Sequence, residues 1–112
     1  MNSFLSIFIT LQLLSGESST PNEELGKKIY LKRCKVCHGA KGDTNPFAAK
    51  VLNPPPRNFT SEQSKKELTE ERMVFSATNG RPGTAMMPWK GILSQDEIFA
   101  VIYYIRNELM NL

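Results

Sequence analysis

Ile98, Val101, Ile102, Ile105 and Leu109 recur at helical spacing and predict the clearest element of the chain. Just ahead of them, Ser94-Gln95-Asp96-Glu97 has the form of a capping box, and Leu93 with Ile98 can close a hydrophobic staple. Val101 and Tyr104 make a second apolar strip. Another helix is predicted over residues 69 to 79. Thr69 can cap it, Glu70 and Glu71 suit its positive end, Leu68 can staple onto Met73, and Asn79-Gly80 stops it. A first helix is predicted over residues 22 to 33, with Pro21 at its entrance and Glu23 and Glu24 in its first turn. Leu25, Ile29 and Val36 fall roughly on one face of it, and Gly26 and Tyr30 on an adjoining strip. A glycine inside a helix costs about 0.5–1 kcal/mol relative to alanine, so Gly26 points to the close approach of another backbone.

The remaining stretches break these patterns. Residues 39 to 60 and 81 to 93 are rich in Gly and Pro and read as loop, with short helical pieces expected over Phe47 to Leu52 and Ser61 to Lys66. No segment alternates apolar and polar positions, and no repeat recurs. The pattern predicts an all-α fold of about three to five helices.

Phe4 to Leu14 form an almost wholly apolar run of eleven residues, FLSIFITLQLL, followed by small and polar residues up to Thr20-Pro21. Spanning a bilayer takes about 20 residues, so the run has the length of an export-signal core rather than of a membrane helix. No Lys or Arg precedes it. Residues 1 to 20 are read as a signal peptide, with an uncleaved short anchor or an apolar helix of the domain as alternatives. Residues 21 to 112 are read as the domain.

The full chain has 112 residues, 40% apolar and 22% charged, which excludes disorder and suits one domain. A domain this small often relies on a staple, a metal or a cofactor. The net charge of +3 and pI near 9.0 are spread along the chain. They argue against nucleic acid and for a basic face that meets an acidic protein.

The chemistry is concentrated in one place. The chain's two Cys and one His all fall within Cys34-Lys35-Val36-Cys37-His38. Cys-x-x-Cys-His is the haem-attachment motif. Two thiols at this spacing can each reach one vinyl group of a single porphyrin, and the adjacent imidazole comes under the iron. A thioredoxin-like pair would need a βαβ context, which is missing. A structural zinc needs four ligands, and a disulfide here would close too small a loop to stabilise much. With no second His in the chain, Met is the expected distal ligand. Met86 and Met87 are the two that lie in a loop free to close over a haem.

These residues resemble a bacterial class I (mono-haem) cytochrome c over most of residues 22 to 110. The likeness rests on CKVCHG at Cys34 to Gly39, on NGRPGTAMMPWKGILS at Asn79 to Ser94, and on the closing DEIFAVIYYIRN. It implies a small cytochrome c fold in which the N- and C-terminal helices pack crosswise, with Gly26 and Tyr30 against Val101 and Tyr104. It implies one covalent haem c at Cys34 and Cys37, with iron held by His38 and a Met. A Gly-Thr-x-Met pattern points to Met86, Met-Pro points to Met87, and an aromatic three residues on, at Trp89, favours Met86. The resemblance makes Pro46 the candidate carbonyl acceptor for His38. It makes Arg57 and Trp89 candidates for contacts with the haem propionates, against a solvated Arg and a core Trp.

The function so implied is electron transfer, without catalysis, by a periplasmic monomer, or by a tethered form if the N-terminal segment is retained. Its partners would be redox proteins, including membrane-bound respiratory or photosynthetic complexes. Lys27, Lys28, Lys32, Arg33, Lys35, Lys41 and Lys90 are candidates to steer an acidic docking face toward the haem edge. The rival classes are a peroxidase or CO/NO-binding sensor with a labile distal ligand, and a thiol-redox or metal-binding module without haem.

Overall fold

The computed structural model describes residues 20–112, so the predicted export segment lies outside the described residues except for Thr20. Thr20 belongs to the first helix as its cap: its hydroxyl accepts from the Glu23 amide at 3.2 Å. α1 (Pro21–Ile29) runs without a break into a wide turn, π1 (Tyr30–Cys34), and on into α2 (Lys35–His38). The rod therefore reaches past the predicted end at residue 33 and stops at Gly39, whose φ of +83° suits glycine. α3 (Pro46–Val51) is capped by Asn45 and α4 (Glu62–Glu67) by Ser61. α5 (Glu70–Asn79) is capped by Thr69 and closed by Gly80. α6 (Gln95–Tyr104) starts in the predicted capping box, with both halves formed, and passes into a second wide turn, π2 (Ile105–Leu109). These are five helical segments and no strand among the described residues, in line with the all-α expectation.

The two ends of the chain meet at Gly26. A Cβ built there would lie 2.1 Å from the Ala100 carbonyl oxygen and 2.9 Å from the Tyr104 Cβ, so α1 and α6 touch backbone to backbone. One turn further, the Tyr30 and Tyr104 rings pack at 5.5 Å with a 48° tilt. Ile29, Ile98, Val101, Ile102 and Ile105 are buried around this contact, with Phe59, Leu68, Met73, Ala77, Leu93 and Met110 completing the core. Met73 and Met110 are thus core residues. The Arg106 guanidinium adds a bond of 2.6 Å to the Leu68 carbonyl, tying the last helix to the turn before α5.

The predicted apolar face of the first helix needs correction. Ile29 is buried, but Leu25 is 37% and Val36 70% exposed. The approach at Gly26 centres the buried strip on residues 26, 29 and 30, and the extra residue of π1 turns Val36 off that strip. The strip facing Gly26 on α6 is Ala100 and Tyr104, one position from the expected Val101, which is buried in the core instead.

Candidate haem site

Cys34 ends π1, while Cys37 and His38 form the last turn of α2, so one rod presents all three side chains. Both thiols are partly buried and not joined to each other. Burial, and secondarily the neighbouring Cys37, push the Cys34 thiol up to about 12. A redox-active Cys-x-x-Cys needs the opposite, a thiol lowered toward neutral pH. Among the described residues no three His, Cys, Asp or Glu side chains converge where a metal ion could sit, so the zinc reading lacks its ligands.

The His38 ring is stacked on Phe59, with centroids 4.4 Å apart and planes 18° from parallel. Burial holds the imidazole below its ordinary range, which favours the neutral form that binds iron. Its Nδ1 lies 3.1 Å from the Arg57 carbonyl oxygen. A carbonyl can only accept, so Nδ1 carries the proton and Nε2 keeps its lone pair for a metal.

Arg57, not Pro46, therefore supplies the acceptor. The physical reason lies in the turn after α2. The Thr44 and Asn45 amides bond back to the His38 and Cys37 carbonyls at 2.8 and 3.0 Å, and Pro46 is carried outward to start α3, where it is exposed. The segment after the triple proline is drawn in instead: the Phe59 amide donates to the Gly42 carbonyl at 2.7 Å and the Thr44 hydroxyl to the Pro56 carbonyl at 3.2 Å. The Arg57 guanidinium pairs with Glu67 at 2.5 Å, which holds that carboxyl below the usual carboxylate range.

Tyr30, which sequence reasoning placed only in packing, also makes a polar contact beside the site. Its buried hydroxyl donates to the Gly39 carbonyl at 2.6 Å, linking the wide turn to the residue after His38. Tyr30→Phe would remove this bond but leave the carbonyl its second donor, the Gly42 amide at 3.1 Å, so the loss is that of one hydrogen bond, about 0.5–1.5 kcal/mol. Guanidinium denaturation of the holoprotein should show a loss of that size.

The second predicted segment is a loop between α5 and α6. The Trp89 amide donates to the Ala77 carbonyl at 2.9 Å, and the Arg81 amide to the Met86 carbonyl at 3.1 Å. Met86 is partly buried and packs against the core, whereas Met87 is 46% exposed. Trp89 also packs on the core, with the Arg33 guanidinium 5.9 Å above its ring.

The donor set fits a covalently held haem. It comprises two uncrosslinked thiols three residues apart, an imidazole whose Nδ1 is engaged and whose Nε2 is free, and a partly buried thioether on a separate loop. Such a site on an all-α scaffold of this size defines a class I monohaem carrier. The chain matches the cytochrome c family over residues 23–108, and it belongs to that family. It is 31% identical over 80 residues to cytochrome c6 of Euglena gracilis, covering 71% of this chain and 85% of that one. It is 29% identical over 86 residues to cytochrome c6 of Cladophora glomerata, covering 77% and 88%. Among solved structures, the KustC0563 c-type cytochrome superposes with a TM-score of 0.64 at 29% identity, over 73% of this chain and 94% of that one. The protein carries covalently bound haem c with its iron and serves haem-based electron transfer.

Proposed function

We propose that this cytochrome carries single electrons between redox partners in the periplasm, with Cys34 and Cys37 bonded to the haem and His38 and Met86 as its axial ligands. The observation that carries the reading is the His38 imidazole, neutral and fixed through Nδ1 to the Arg57 carbonyl, with Nε2 left to bind iron. A haem held there would supply the ferrous–ferric redox couple. The chain's own residues set its conditions. A Met thioether raises the reduction potential, and Met86 is the methionine of its loop that packs inward. Phe59 and the Arg57 carbonyl hold the imidazole in one orientation, so little moves when the charge changes. The Arg57 guanidinium and the Trp89 indole are the proposed propionate donors.

Lys27, Lys28, Lys32, Lys35, Lys41 and Lys90 are all exposed, as a basic face for an acidic partner requires. Complexes of this kind are small and short-lived, in keeping with a monomer that meets several partners. No helix among the described residues is long and apolar enough to cross a membrane.

Spectra of the purified reduced protein, with and without CO, test the reading. The expected result is a haem c spectrum that CO leaves unchanged. Ready formation of a CO adduct would replace the carrier by the peroxidase or CO/NO-binding alternative.

A further inference from the structure

We propose that Arg33 is a clasp. Its guanidinium, laid on the Trp89 indole, holds the Met86 loop to the attachment helix and sets how rarely Met86 lets go of the iron. The inference rests on the His38/Met86 reading above. Arg33 lies in π1, one residue before Cys34, and is half-buried where its neighbours Lys32 and Lys35 are exposed. Its Cζ stands 5.9 Å from the centre of the Trp89 ring, within the roughly 6 Å over which an aromatic face attracts a cation. No ion pair among the described residues engages Arg33, so the ring compensates the water it gives up.

Trp89 is a firm platform for this contact. Its amide is bonded to Ala77, and its carbonyl accepts from the Ile92 and Leu93 amides at 2.9 and 2.8 Å. Three residues earlier, the Met86 amide donates to the Thr84 hydroxyl at 3.2 Å and its carbonyl accepts from Arg81. These hydrogen bonds tie the loop to α5 or to itself. Beyond the apolar packing of Met86 and Trp89 on the core, the polar contact that reaches across to the helix bearing Cys34, Cys37 and His38 is that of Arg33 with Trp89. Each proposed axial ligand thus stands on one side of this bridge. When the bridge is lost, the loop stays anchored to α5 but is less firmly held against the attachment helix. An external ligand binds only to molecules in which the distal position has opened, so its apparent affinity measures the opened fraction.

The test is an imidazole titration of the ferric holoprotein, followed at the near-infrared sulfur-to-iron band. Arg33→Gln should tighten apparent imidazole binding by about 3- to 30-fold, the range of a cation–π contact partly withdrawn from water. Arg33→Lys, which keeps a cation over the ring, should fall nearer the parent. Trp89→Leu should raise binding more than Trp89→Phe, which keeps an aromatic face. In a Trp89→Leu background, Arg33→Gln should add less than about twofold. An equal effect of Arg33→Gln in both backgrounds, or no effect in either, overturns the clasp. A parent protein that lacks the band and binds imidazole as readily as Met86→Ala overturns the axial-ligand reading itself, and the clasp with it.

Discussion

Gly26→Ala will destabilise this cytochrome by about 3 kcal/mol or more, although alanine is the better helix former by about 1 kcal/mol. The sign follows from the geometry. The new methyl would sit 2.1 Å from the Ala100 carbonyl oxygen and 2.8 Å from its carbon, both main-chain atoms of α6 that no rotamer change can move aside. Relief requires the first and last helices to separate, which loosens the Tyr30–Tyr104 packing and the buried row from Ile98 to Ile105. Thermal unfolding of the holoprotein should register a fall of roughly 15 °C, since about 4–8 °C accompanies each kcal/mol in a domain of this size. Gly26→Val should be worse. A Gly26→Ala protein as stable as its parent would mean that the helices do not meet there.

The second large effect is on the iron. Met86→Ala should abolish the near-infrared sulfur-to-iron band, lower the reduction potential and turn a protein inert to CO into one that binds it stoichiometrically. Met87→Ala should leave all three readouts close to the parent. The contrast rests on placement. The two methionines are neighbours in one loop, but Met86 packs against the core while Met87 stands 46% exposed. Met73 and Met110, buried within the core, fill space and offer no competing ligand. The reverse pattern would move the ligand to Met87 and leave the carrier function standing. Unchanged spectra in both variants would leave the proposed methionine ligation without support.

Much of the fold was legible because its signals are local. Ser94, Thr69 and Ser61 cap helices through their own side chains, and the positions they mark are where those helices begin. Gly26 was legible for another reason: its cost inside a helix demanded a close neighbour, and the Ala100 backbone is that neighbour. The attachment motif is contiguous, so Cys34, Cys37 and His38 needed no tertiary information to be grouped. What escaped was carried by the main chain or by tertiary packing. The wide turn at Tyr30–Cys34 leaves no mark in the side-chain pattern, yet it moves Val36 to the surface. The Tyr30 hydroxyl and the Gly39 carbonyl are nine residues apart, and nothing in either residue announces their bond. Pro46 was favoured by resemblance, but the length of the loop decides which carbonyl reaches His38.

That the partner of His38 Nδ1 is a peptide oxygen has a consequence for variation at position 57. Every amino acid offers the same atom there, so natural or engineered replacement of the guanidinium would leave the imidazole's support intact while dissolving the pairing with Glu67. Insertions or deletions between the triple proline and Phe59 are a different matter. They would slide another peptide opposite the ring, making chain length in this stretch, rather than residue identity, the heritable control on how the His38 imidazole is held.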